Sequence, residues 1–218
     1  ETRSSRVVLK ILGNEKIAGV LVVDRYGGYN RAPCKIQYCY AHLLRDVEKL
    51  EYEFENNKEV VQFTTTLAVL LTRAMKLRGQ GFDENQYLSQ AGEIRDAIKK
   101  LIKTKYKHLG IRRIQQIFTE KEHRLYHWVD DIRVPAENNR AERELRPTVV
   151  ARKSSFGSQS EKGAMTRGGI MSLLYTAKKR LKTKPVEDWL YESLNRISKD
   201  PTKSLVDLLP PPLSTPTH

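Results

Sequence analysis

Cysteine is nearly missing from this sequence: Cys34 and Cys39 are the two in 218 residues. That is too few to frame a disulfide-rich domain, so a reducing, cytoplasmic setting is expected. No apolar run reaches the roughly 18 residues at which a stretch reads as membrane-spanning. Nor is there the charged segment followed by an apolar stretch that marks a secretory signal. Internal repeats are absent too. Acidic charge is short: 26 Asp and Glu stand against 39 Lys and Arg, a formal charge of +13 with a pI near 9.7. Such a balance points to a polyanionic partner, most simply nucleic acid. The length allows one sizeable core or two small ones. A first residue of Glu1 rather than Met is what a fragment or a processed form would show.

What is present reads as a mostly helical α/β chain. Apolar positions Val7, Val8, Ile11 and Leu12 predict a helix over Ser4–Leu12, which Gly13 stops. Gly19–Asp24 reads as a short buried strand, because β-branched residues run there without alternation. A glycine-permitted turn follows at Arg25–Tyr29, then a second short strand at Ile36–Cys39 and a helix over Ala41–Glu55. Three amphipathic stripes come next: Val60 to Leu77, Tyr87 to Ile102, and Ile111 to Phe118, the last extending toward Trp128. Residues 45–130 are therefore expected to be a helical module inserted between residues 1–44 and 131–198. After Pro135 a helix should begin near Asn138, an acceptable N-cap, and Pro147 should stop or kink it. Lys153–Ser158 reads as a loop, Glu161–Leu181 and Val186–Ile197 as helices, and 199–218 as a proline-rich, unstructured tail.

The chemistry concentrates at two places. Asp24 leaves an apolar strand at its carboxyl end, where open α/β sheets gather ligands. Glu142 lies among Arg140, Arg143 and Arg146 at the start of a helix. A strand-borne aspartate and a helix-borne glutamate are parts of a two-metal phosphoryl-transfer site, since carboxylates are the hard ligands Mg²⁺ prefers. Each has a plainer reading alone: Asp24 as a turn former, Glu142 as a macrodipole partner. From Arg143 to Lys184 the sequence has eleven Lys or Arg against two acids, so the basic excess sits beside Glu142. Arg140, Arg143 and Arg146 are spaced three apart and can grip phosphates, although a solvated basic face is the alternative. Asn138 and Asn139 read as capping residues. Asp130 and Asp131 lie near Glu142 in sequence but follow Trp128-Val129 at a helix end, where a solvated turn role is expected. Cys34, Cys39 and His42 have zinc-like spacing but no fourth ligand nearby; packing of Cys39 beneath the strand is the preferred reading.

Taken in order, Asp24-Arg-Tyr-Gly-Gly-Tyr, Cys39-Tyr-Ala-His42-Leu-Leu-Arg45, Asn138-Asn139-Arg-Ala-Glu142-Arg143-Glu-Leu-Arg146, Arg152-Lys153-Ser-Ser-Phe156 and Gly163-Ala164 form a specific series. The chain resembles the catalytic domain of bacterial insertion-sequence transposases of the sixty-six family, over roughly residues 5–195. The resemblance implies an RNase H-like fold with a DDE triad, in which Asp24 is the second carboxylate and Glu142 the third. The first aspartate would lie on a strand ahead of Ser4–Leu12, so the chain is expected to lack the first three strands and one metal ligand. It further implies two Mg²⁺ (or Mn²⁺) ions in the complete site, DNA strand cleavage and transfer at transposon ends, and homo-oligomers assembled on DNA. A nucleoid-associated bacterial protein is the setting it implies. His42 would stand near the active site, with Asn138 and Asn139 turned toward it. Arg152 and Lys153 would contact DNA in a loop where Phe156 either stacks on a base or belongs to the core. The alternative is a catalytically incomplete derivative that binds DNA or protein.

Overall fold

The computed structural model describes residues 5–155, 157–158 and 160–212, and divides into two compact units, Glu1–Glu142 and Arg143–His218. The first unit opens with α1 (Ser5–Leu12), which buries none of its residues. Strand β1 (Val20–Val23) pairs in parallel with β2 (Lys35–Tyr38), in the register Val20↔Lys35 through Val23↔Tyr38. Among the described residues this pair is the whole sheet. Their connection includes a 3-10 turn at Gly27–Arg31.

Helix α2 (Tyr40–Glu53) follows β2 after one residue, Cys39, whose amide donates to the Val23 carbonyl at 2.8 Å. Three further helices then form a layer: α3 (Lys58–Leu77), α4 (Glu84–Lys103) and α5 (Leu109–Glu120). Their starts are capped by side chains. Asn57 accepts from the amides of Glu59 and Val60, and Asp83 forms a reciprocal capping box with Gln86. The anticipated stripes are the buried faces: Val60, Phe63, Leu67, Leu71 and Leu77 on α3, Tyr87, Ala91, Ile94 and Ile98 on α4, Ile111, Ile114 and Phe118 on α5. They share one core with Val23, Ile36, Tyr38, Tyr40, Leu43 and Val47, so the helical layer and the strand pair are buried against a common interior. The third stripe does not run on as one helix to Trp128. It ends at Glu120, a 3-10 turn spans Glu122–Arg124, and the short α6 (His127–Asp130) seats Trp128 in the core.

Helix α7 (Asn139–Ser154) starts in the first unit and continues into the second. Pro147 does not stop it. Proline removes only one amide, the one that would reach the Arg143 carbonyl. The helix therefore also covers Lys153 and Ser154, expected in a loop. In the second unit α8 (Glu161–Leu181) is capped by Ser160, and α9 (Val186–Lys199) follows Pro185. The segment after α9 is held through its described part, contrary to the unstructured tail expected. Trp189 Nε1 donates to the Leu208 carbonyl at 2.8 Å and Arg180 Nη1 to the Pro210 carbonyl at 2.9 Å. Residues 213–218 and Phe156, read above as stacking on a base or belonging to the core, lie outside the described residues.

Candidate carboxylate site at the strand ends

Both strands of a parallel pair end on the same side, and the site is built there. Asp24 follows Val23 directly, and its Oδ1 accepts the Tyr26 amide at 3.0 Å, closing the turn that carries the chain away from β1. The next residue, Arg25, pairs with Asp46 of α2. Cys39 follows β2 and caps α2, so the first turn of α2 lies where the strands finish.

The start of α7 docks onto this same first turn by an exchange of orphan groups. Leading amides of a helix have no partner inside it. The Tyr40 amide donates to the Ala136 carbonyl at 2.9 Å, and in return the Asn138 amide donates to Cys39 Sγ at 3.3 Å. Cys39 is 1% exposed, and burial pushes its thiol up from the ordinary range. A buried, neutral thiol accepting an amide is a packing group. Cys34 stands at the opposite end of β2, about 16 Å away at a strand's rise per residue. Cys34, Cys39 and His42 therefore do not converge as a zinc set, and Cys39 is a packing group, the reading preferred above. The Asn138 side chain does not cap α7 either: its Oδ1 is buried without a hydrogen-bond partner, while Glu137 accepts the Asn139 amide.

With α7 so started, Glu142 reaches α2. Its Oε1 lies 3.5 Å from His42 Nε2 and its Oε2 lies 3.7 Å from Arg45 Nη2. His42 and Arg45 are one turn apart on α2 and share a face, which is why both meet one carboxylate. These contacts are part-exposed and orient Glu142 more than they stabilise the fold, at about 0–1 kcal/mol for such pairs. His42 Nδ1 is buried without a hydrogen-bond partner. Arg45 enters the sequence reading only as the end of the His42-x-x-Arg45 motif, with no role given to it, and Asp46 is missed. Arg25, the neighbour of Asp24, and Glu142 thus both meet side chains of α2 within 42–46.

The other expected residues divide. Arg140 is exposed in the first turn of α7. Arg143, Arg146, Arg152 and Lys153 belong to the second unit, are exposed, and form no ion pair among the described residues. Asp131 turns back on Arg133, whose guanidinium and amide hold its carboxyl down to about 2. It lines a cleft with Gly19, Val20 and Lys35, at the starts of the strands rather than their ends. Asp130 lines a different cleft, with Arg95, Lys99 and His127. Neither accompanies Asp24. Two carboxylates suit a hard divalent cation. No cluster of three or more His, Cys, Asp or Glu fit to hold a metal occurs among the described residues. These two donors are therefore short of a complete centre.

The sequence model of the family described as Transposase IS66 family matches residues 1–166. Two relatives come from Sinorhizobium fredii (strain NBRC 101917 / NGR234). The uncharacterized protein y4jD is 27% identical over 234 residues, covering 96% of this chain and 44% of the relative. The uncharacterized protein y4qI is 27% identical over 216 residues, covering 89% of this chain and 39% of the relative. The chain thus spans less than half the length of these curated relatives. No solved structure matches it. Among the described residues no helix is long and apolar enough to cross a membrane.

Proposed function

The chain belongs to the IS66 family of transposases, and we propose that it forms part of a catalytic domain that cuts and rejoins DNA at transposon ends. The observation that carries this reading is the meeting on α2, where Arg25 pairs with Asp46 beside Asp24 while Glu142 meets His42 and Arg45. In this reading β1, β2 and α2 belong to an RNase H-like core. Asp24 and Glu142 are the second and third carboxylates of a DDE triad, and another part of the whole protein contributes the remaining one. Asp24 and Glu142, with that remaining carboxylate, would hold divalent ions, which would supply Lewis-acid stabilisation of the attacking and leaving oxygens. His42 and Arg45 keep the Glu142 carboxylate turned toward α2. The exposed Arg140, Arg143, Arg146, Arg152 and Lys153 grip backbone phosphates, which gives affinity rather than sequence choice.

A second reading is a DNA- or protein-binding derivative without cleavage. The lack of a three-ligand cluster among the described residues favours it. Cleavage of a transposon-end duplex by the whole protein in Mg²⁺ separates the two. Glu142→Gln and Asp24→Asn should each lose at least about a hundredfold in cleavage, the scale of removing one stabiliser of transition-state charge. Duplex binding in metal-free buffer should be unchanged or slightly tighter, because a negative charge has left the phosphate side. Cleavage close to wild type in both variants would remove these carboxylates from the site. Binding without cleavage by the unmodified whole protein would favour the second reading.

A further inference from the structure

The helical layer carries a basic surface of its own. Between Lys99 and Arg113 the chain has seven Lys or Arg and no Asp or Glu. Six of them, Lys100, Lys103, Lys105, Lys107, Arg112 and Arg113, are exposed, and none of the six forms an ion pair among the described residues. The seventh, Lys99, is bound to Glu122 at 2.6 Å. Asp96, Glu122 and Glu59 are acids that border the patch.

Part of this charge has a plain structural explanation. Lys100 and Lys103 end α4, where the macrodipole favours cations. The same argument runs against Arg112 and Arg113, which stand in the first two turns of α5 at the positive end of its dipole. It does not reach Lys105 or Lys107 at all, since both lie in the link between the helices. That link is fixed. Glu59 accepts the amides of Lys107 and His108 at 2.9 and 3.0 Å, and Gln115 Nε2 donates to the Ile102 and Thr104 carbonyls at 2.6 and 2.7 Å. Tyr106 packs edge-on against Phe63, with ring centres 5.1 Å apart. Tyr106 is turned inward, and Lys105 and Lys107 to either side of it are left in solvent. The tethered link therefore displays two cations on either side of an inward tyrosine, with arginines following on α5, and neither the macrodipole nor an ion pair among the described residues accounts for them.

We infer that the α4–α5 junction is a second surface for the backbone of duplex DNA, separate from the basic residues that follow Glu142. It rests on the DNA-acting reading above. Its contacts are to phosphates alone, because no aromatic side chain is exposed among the cations for base stacking.

The test titrates the full chain with a fluorescein-labelled duplex of scrambled sequence across a range of salt, reading anisotropy. Three proteins are compared: the unmodified chain, a variant with Lys103, Lys105, Lys107, Arg112 and Arg113 all replaced by Gln, and one with Arg143, Arg146, Arg152 and Lys153 replaced by Gln. Circular dichroism checks that each is folded. Each lost contact lowers the slope of log K against log salt by about 0.9. The junction variant should lose about two to four units of slope and bind more weakly whatever the duplex sequence. Acetylation of the unmodified chain gives a second measure that no folding defect can mimic: bound duplex should protect Lys105 and Lys107. A junction variant with wild-type slope, or Lys105 and Lys107 acetylated as fast with DNA as without it, overturns the inference. If the other variant still loses binding, the main reading survives that failure. An unmodified chain that ignores duplex DNA overturns both, and tighter capture of single-stranded RNA than of duplex overturns the junction surface as assigned.

Discussion

Gln37 is a fully buried amide on a two-strand sheet, and every polar atom it has is used. Its Nε2 donates to the carbonyls of Tyr38 and Leu125 at 2.9 and 3.1 Å, and its Oε1 accepts the His127 amide at 2.9 Å. The Leu125 carbonyl also accepts Tyr40 Oη at 2.7 Å and Trp128 Nε1 at 3.0 Å. This cluster ties β2 and the start of α2 to the turn before α6, and so supports the helix that meets Glu142. Gln37→Leu keeps the volume but strands the His127 amide, an unmet bond that costs about 1–3 kcal/mol. Tyr40→Phe should cost less, because the Leu125 carbonyl keeps two other donors while having only two lone pairs to serve three. Urea denaturation of the two variants checks the order. A Gln37→Leu protein as stable as wild type would mean the cluster contributes nothing.

Among the elements, α3 and α5 are joined by one carboxylate. Glu59, in the first turn of α3, accepts two amides of the link before α5. The Lys107 amide is the main reason its carboxyl is held below the ordinary carboxylate value. A depressed acid stabilises the fold above its unfolded value near 4.3 and loses that contribution as pH falls through the folded value. Glu59→Gln should therefore lower Tm at pH 7 and flatten the fall of Tm below about pH 4.5. A variant whose Tm follows wild type down the whole acid limb would disprove the clamp. Periodicity made α3, α4 and α5 legible beforehand, because each buries one stripe. It could not see that Glu59 rather than a terminal residue secures the link, since that contact spans 48 positions. The start of α7 was misread for a related reason. Asn138 is the better cap by residue type, yet its amide donates to Cys39 Sγ, and it is Glu137 that accepts the Asn139 amide. Asp24, Glu142 and Arg45 stood in ordered motifs, whereas the role of Arg45 and the presence of Asp46 needed the contacts themselves.

For the whole molecule, the two compact units differ in how much they bury. The first has a continuous core from Val23 to Ala136. In the second, the buried residues among those described are Ala177, Trp189 and Ser193, while Leu145, Val149, Met165, Ile170, Tyr191 and Leu194 are exposed. A core that small supplies few kcal/mol against the entropy of ordering the chain. Stability should therefore be uneven, with the second unit opening first. Each unit holds one tryptophan: Trp128 is fully buried in the first, and Trp189 donates to Leu208 in the second. Fluorescence on urea titration should then show two transitions. The earlier one, carried by Trp189, should vanish from the signal in Trp189→Phe, leaving Trp128 to report the later. Far-ultraviolet circular dichroism should still show both steps in that variant, because α8 and α9 still melt. One transition, at the same urea concentration by both probes and in both proteins, would show that the sparse second unit is stabilised by something other than its own core.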